Sequence, residues 1–375
     1  MTEFDVAIVG GGIAGASLGY RLAGRRSVAL LERESQPGYH STGRSAAMFM
    51  ESYGPPMVRA LTRSSRAFYE RPPPNFTDHP LLTPRGALYV AAIGQEHLLA
   101  ETQTELESTG CRIERLDAAA TLAKAPCLRP DLIAGSLLDI DAQDIDVAAL
   151  HQGFLRGLRA AGGLIRVNTD VRTAQRAGDV WELQLPEGEI VRAKTVVNAA
   201  GAWADEVAQA FGAKKIGLEP RRRSAFTFAP PDGTDVTTWP TIVGIDESWY
   251  FKPDAGLLLG SPANADPVVP HDVVPEELDI ALGIHRIEEI TTLSIRRPKA
   301  IWAGLRSFVA DGELVIGFDD ACPDFFWLAA QGGYGIQSAS GASELAACML
   351  LGDTLSATLS SHGVRPELLA PSRLR

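Results

Sequence analysis

Phe4-Asp5-Val6-Ala7-Ile8-Val9-Gly10-Gly11-Gly12-Ile13-Ala14-Gly15 decides how the rest of this 375-residue chain is read. Its first six residues form a short, mostly apolar run of strand type. The glycines break that run, and Ala14, Leu18 and Leu22 then recur at helical spacing. The predicted order is strand, tight turn, helix. Gly10 permits the turn, Gly12 lets the backbone come close to a pyrophosphate, and Gly15 with Gly19 lets the helix pack tightly on the strand. Free amides at the start of such a helix favour phosphate. A second strand, Ser27 to Leu31, ends at Glu32, where a carboxylate accepts hydrogen bonds from ribose hydroxyls. Together these features predict a dinucleotide site. Glu32 would repel a 2′-phosphate, so FAD or NAD is expected rather than NADP.

Bulk composition narrows the class. The chain is long enough for two intertwined domains. With 45% hydrophobic and 22% charged residues it reads as an ordinary globular protein. Its net charge of -11 repels polyanions, and the one dense basic run, Arg221-Arg222-Arg223, is too short to bind nucleic acid. Cys111, Cys127, Cys322 and Cys348 are widely spaced with no C-x-x-C pair, so neither a disulfide framework nor a metal site is expected. No apolar run approaches the ~18 residues of a membrane span. The strand at Val6 leaves no room for a signal peptide, so a cytoplasmic enzyme is expected.

The segment Gln36-Pro37-Gly38-Tyr39-His40-Ser41-Thr42-Gly43-Arg44-Ser45-Ala46-Ala47 separates FAD from NAD, because an NAD domain would continue its sheet here. With Glu32 and Arg33 before it, this loop resembles the D-amino-acid oxidase superfamily of FAD enzymes, and within it the bacterial D-arginine dehydrogenases. The resemblance extends to three further blocks: Asn198-Ala199-Ala200-Gly201-Ala202-Trp203, Gly304-Leu305-Arg306, and Gln331-Gly332-Gly333-Tyr334-Gly335-Ile336-Gln337. It implies non-covalent FAD held by Gly10, Gly12, Ala14, Gly15, Glu32, Arg33, Thr42, Gly43, Arg44, Ser45, Ala46, Ala47, Val171, Ala200, Gly201, Trp203, Gly304, Gly332, Gly333, Tyr334, Gly335, Ile336 and Gln337. The bland alternative for Arg44 is a solvated loop arginine.

The expected fold is α/β. A Rossmann-type FAD-binding domain (1–47, 141–212 and 306–375) interleaves with an α+β substrate domain (48–140 and 213–305) on a mostly antiparallel sheet. Within it we expect a strand at Gly86 to Ala92, a helix from Gln95 to Gly110, and a helix from Val147 capped by Asp146. Residues 213–305 read as strand-rich. A helix beginning near Ser338 would aim its positive end at the flavin.

Flavin oxidation of an amino acid moves a hydride from the α-carbon to flavin N5, so the protein's task is to hold the substrate and manage the amine proton. A guanidinium fork suits the carboxylate. The resemblance puts Arg306 in that role with Tyr250, adds Tyr53 and Arg223 to the pocket, and gives Gly333 a carbonyl toward the amine. His40 and His151 read as structural. Two departures matter. Met48 and Ala87 stand where D-arginine dehydrogenases carry a histidine and a glutamate that pairs with the distal cation. An unpaired buried cation is costly, so neutral or apolar D-amino acids are expected over D-arginine. The alternatives are a glycine or sarcosine-type amine oxidase and a non-catalytic flavoprotein. The electron acceptor is left open between oxygen and a quinone.

Overall fold

The computed structural model describes residues 2–375. The opening motif folds as expected: a strand over Thr2–Val9, a glycine turn, and a helix over Ile13–Leu22 whose inward face is buried throughout. Thr2–Val9 lies between Val28–Leu31 and Ile190–Asn198, parallel to both, in an eight-stranded sheet. Leu164–Arg166 and Phe325–Ala329 extend the parallel part on either side. Helices Ile13–Leu22, Val147–Ala160 and Ala339–Leu351 share one apolar cluster with this sheet. Asp146 caps the second of them by accepting from Ala149 N, as its position before the apolar stripe predicts.

A nine-stranded sheet carries the other half of the molecule, drawn from residues 87–139 and 219–308. All but one of its pairings are antiparallel, Thr241–Gly244 running parallel to Ala87–Ala92. Its backbone is the antiparallel pair Glu219–Phe228 and Ala300–Phe308. The expected boundary at 306 falls inside this second strand, which continues in the nine-stranded sheet to Phe308. A three-stranded sheet made of Met48–Phe49, Leu82–Pro84 and Gln143–Ile145 sits at the junction.

Two of the longer helices depart from the sequence reading. Pro56–Glu70 lies in a stretch read as a proline-rich insertion grouped with the substrate side. Pro55 and Pro56 stand at its first positions, where a missing amide costs nothing, so they start the helix rather than break it. The helix packs on Ala339–Leu351, where Gly341 lies so close to the Leu61 carbonyl that a Cβ would sit 2.4 Å from that oxygen. Glu313 caps it, accepting from Met57 N at 2.8 Å and Val58 N at 3.1 Å. The other, Glu277–Ile290, covers one face of the nine-stranded sheet through Ile280, Gly283, Ile287 and Ile290. The strand reading of 213–305 passed over it, although Ile280, Ile284, Ile287 and Ile290 recur at helical spacing.

A buried charge cluster fixes the small sheet to the large one. Asp144 accepts from Lys252 Nζ at 2.6 Å and from Arg85 Nε at 2.6 Å, and the Lys252 side chain is only 7% exposed. Removing the carboxylate strands two enclosed cations. Asp144→Ala is therefore expected to lower the unfolding free energy by about 3 kcal/mol, read from urea denaturation. Asp144→Glu should recover part of that loss.

Candidate active site

The site is built on very close backbone approaches at the first glycine turn. Gly10 has φ +108°, and a side chain there would put its Cβ 2.3 Å from the Ala199 carbonyl oxygen. Gly15 lies so near the Gly10 carbonyl that a Cβ would meet it at 1.9 Å. The helix start at Gly12 has no side-chain cap of its own, and Thr42 accepts from Ile13 N at 3.0 Å. Glu32 is 9% exposed and takes the amides of Gly11 (2.8 Å) and Glu34 (2.9 Å), which fixes the carboxylate at the strand end. Below the turn, His151 Nε2–H donates to the Gly11 carbonyl at 2.9 Å. Burial holds its imidazole below the usual pKa, so it is a neutral support for the turn.

The 36–47 loop closes over this turn. Gly43 N donates to Gly38 O, and Ser41 Oγ donates to Leu305 O across the molecule. Arg44 is not the solvated arginine of the bland reading. Its side chain is 16% exposed and donates to Val273 O, Ala303 O and the Asp272 carboxylate. The Trp203 ring carries the Arg33 guanidinium at 4.3 Å on its face and the His40 ring at 4.6 Å.

One continuous cleft joins these elements to the nine-stranded sheet, with about 1500 Å³ of open space, solvent at its mouth included. Its walls include Gly10, Gly12, Ala14, Glu32, Arg33, Thr42, Arg44, Ser45, Ala46 and Val171 at one end. Ala200, Gly201, Trp203, Gly304, Gly332, Gly333, Gly335 and Ile336 line the middle, and Arg223, Tyr250 and Arg306 the far end. Other expected contacts stand behind the wall. Gly15 supports the turn, Gly43 the loop, and Ala47 packs on the helical core. Tyr334 packs edge-on against Tyr53 at 5.0 Å, and Gln337 donates to the Tyr53 carbonyl. Gln331, quoted in its motif but not singled out from sequence, lines the cleft with its amide nitrogen buried and unpartnered. Tyr39 and Ser41 were likewise not singled out, and His40, read as structural, lines the cleft as well; the signal for all three was their place in the loop itself. A helix start with close-packed glycines, an anchored acid beside it and an unpaired buried amide fit FAD. Among the described residues no cluster of His, Cys, Asp or Glu could hold a metal.

Strand periodicity builds the far end. In the Arg221-Arg222-Arg223 run, Arg222 turns toward Glu277–Ile290 and is neutralised by Asp266, Glu276 and Asp279. Arg221 and Arg223 turn to the opposite face. Arg223 sits across from Gly304 and Arg221 across from Arg306 in the antiparallel pair, so Arg223 and Arg306 are diagonal neighbours with an empty position beside them. Tyr250 joins that face from the next strands. Arg306 Nη1 approaches Tyr53 Oη at 3.5 Å, and Arg223 Nε donates to Asn264 O. Neither guanidinium has an acidic partner within ion-pair distance among the described residues. Burial and the neighbouring Arg306 push Arg223 below its usual pKa. Burial pushes the Tyr334 phenol up to about 12, so it remains a hydroxyl at neutral pH.

Met48 and Ala87 lie in an apolar layer with Met50, Tyr89 and Val243, next to Tyr53. Ala87 is fully enclosed and Met48 half-buried, and neither lines the main cleft. The acid whose charge reaches both arginines is Glu247, on the turn between Thr241–Gly244 and Tyr250–Asp254.

The family model described as FAD dependent oxidoreductase, DAO, matches residues 5–349. Mitochondrial dimethylglycine dehydrogenase of Rattus norvegicus is 25% identical over 264 residues, 68% of this chain and 30% of that protein. The 4-methylaminobutanoate oxidase (formaldehyde-forming) of Paenarthrobacter nicotinovorans is 27% identical over 261 residues, covering 69% of this chain and 31% of its own length. The chain thus spans about a third of the length of these curated relatives. Glycine oxidase from Geobacillus kaustophilus has the same fold at a TM-score of 0.82, with 22% identity, covering 97% of this chain and 99% of that one.

A Cβ on Gly333 would lie 2.9 Å from Arg306 Nη1, so the guanidinium rests on bare backbone. Gly333→Ala is expected to raise KM about tenfold, some 1.4 kcal/mol of lost binding, while bound FAD measured by absorbance stays at wild-type level. His151 supplies a pH signature. Its folded pKa lies below the unfolded value, so its contribution to stability is complete above about pH 6.5 and drains as pH falls through the folded pKa. His151→Gln should show a flatter fall in Tm than wild type between about pH 6.5 and 5.

Proposed function

The chain belongs to the DAO family of FAD-dependent oxidoreductases, and from that premise we propose that it oxidises a C–N bond of a small amino acid, glycine or an N-alkyl glycine of the sarcosine type. One observation carries the reading: two arginines without acidic partners, Arg223 and Arg306, share a face of the sheet at the end of the cofactor cleft. A pair of enclosed cations favours an anionic ligand, and a planar carboxylate suits the guanidinium fork. The amine-oxidising relatives and the glycine oxidase fold support the same substrate class.

When bound, FAD supplies the hydride acceptor. Arg306 and Arg223 would grip the carboxylate, with Tyr250 and Tyr53 completing the clamp. The Gly333 carbonyl would accept from the amine and orient it. No histidine lines the far end of the cleft among the described residues, His40 standing at the nucleotide end. The amine proton would therefore pass to Tyr53 or to solvent before the C–H bond breaks.

The apolar residue at Ala87 and the resemblance of the 32–47 stretch to D-arginine dehydrogenases favour a second reading, oxidation of primary D-amino acids with neutral side chains. Anaerobic mixing of the holoenzyme with glycine, sarcosine, N,N-dimethylglycine and D- and L-amino acids separates the two. Faster bleaching of the flavin band by N-methyl glycines than by D-alanine or D-valine is expected. A D-amino-acid optimum moves the assignment to the second reading, and no bleaching by any amine defeats both. Arg306→Ala should raise KM by about two orders of magnitude, close to 3 kcal/mol.

A further inference from the structure

Between Asp266–Pro267 and Glu277–Ile290 the chain leaves the nine-stranded sheet and crosses to the nucleotide side. Both ends of the crossing are tied to one strand. Val268 N donates to Pro220 O at 2.9 Å, and Glu276 pairs with Arg222. Its middle is tied elsewhere. Val273 is 3% exposed and packs with Ala202, Ala303 and Leu305. Asp272 Oδ1 accepts from Arg44 Nη2 at 2.5 Å, Asp272 Oδ2 accepts from Tyr39 Oη at 3.2 Å, and the Val273 carbonyl accepts from Arg44 Nη1 at 2.9 Å. The Arg44 guanidinium also lies over the Tyr39 ring at 5.2 Å.

Asp272 and Val273 do not line the cleft, whereas the residues they hold, Tyr39 and Arg44, do. The segment therefore presses the 39–44 loop down from outside. Its grip is asymmetric. Arg44 is 16% exposed at its side chain and Asp272 55%, so the acid half of the latch faces water. An ion pair with one exposed partner is weak enough to open on its own.

We propose that residues 268–275 form a strap that retains FAD, with Asp272 latching the 39–44 loop shut so that the cofactor enters and leaves only when the latch opens. The strap acts on the cofactor alone and is independent of which amine is oxidised. A structural brace would give the same contacts without control over FAD exchange.

Release of FAD after dilution of the holoenzyme, followed by recovery of flavin fluorescence, distinguishes the two. Asp272→Asn should release FAD about tenfold faster, while kcat at saturating FAD stays within about twofold of wild type, because the carboxylate touches only the latch. An unchanged release rate, with or without a lower Tm, overturns the proposal. Amide hydrogen exchange in wild type gives a second reading. Residues 268–275 should exchange more slowly in the FAD-bound protein than in the FAD-free protein, and equal protection in the two overturns the proposal as well.

Discussion

Backbone packed against backbone at Gly10 is the constraint on which the rest of the molecule depends. The Ala199 carbonyl occupies the place of a Gly10 side chain, and the Gly10 carbonyl occupies that of Gly15. These approaches bring the ends of Thr2–Val9 and Ile190–Asn198 together and lay the Ile13–Leu22 helix flat on the sheet. The amides at the helix start then face an open cleft, and the Glu32 carboxylate is held beside them by two backbone amides. His151 fastens the turn from below through the Gly11 carbonyl. A phosphate site thus arises from the absence of side chains, and polar groups are added only to fix its edges.

The second sheet meets this turn through a run of interactions in the 36–47 loop. Ser41 reaches the Leu305 carbonyl, Arg44 reaches the Ala303 carbonyl, and Trp302 Nε1 returns a hydrogen bond to the Arg44 carbonyl. All three second-sheet partners belong to Ala300–Phe308, the strand that also carries Arg306. Arg306, the proposed carboxylate clamp, and the cofactor loop are therefore placed by the same piece of backbone. A shift of that strand would move both together, which preserves their spacing.

Legibility from sequence followed the range of the interactions. The glycine turn, Glu32 and the Asp146 cap are local, and each lies where residue type and spacing predict. Arg44 was legible as a loop residue of the site, but its partners lie more than 200 positions away, so its role as a clasp was not. The basic triplet shows the same limit at shorter range. Strand alternation gives Arg221-Arg222-Arg223 two faces without naming either, and only the family resemblance singled out Arg223 for the pocket. The answer comes from Asp266, Glu276 and Asp279, which claim Arg222 from one side and leave Arg223 to the other. The helix at Pro56–Glu70 was hidden for a different reason: prolines that stop a helix in its interior start one at its first turn.

The treatment of charge on the two faces of the Glu219–Phe228 strand bears on what the far end of the cleft binds. Arg222 is surrounded by three acids, and Lys252 and Arg85 share Asp144, so this fold pairs its enclosed cations where they serve structure. Arg223 and Arg306 receive no such partner, and burial together with the neighbouring Arg306 holds Arg223 below its usual pKa. Leaving two cations in mutual repulsion costs stability. That cost is offset when an anion binds, and it is offset most by one whose two oxygens reach both guanidinium groups. On the proposed function, binding energy would thereby be concentrated on the carboxylate, the part of an amino acid that does not react, and the amine and α-carbon would be left to the Gly333 carbonyl and the tyrosines.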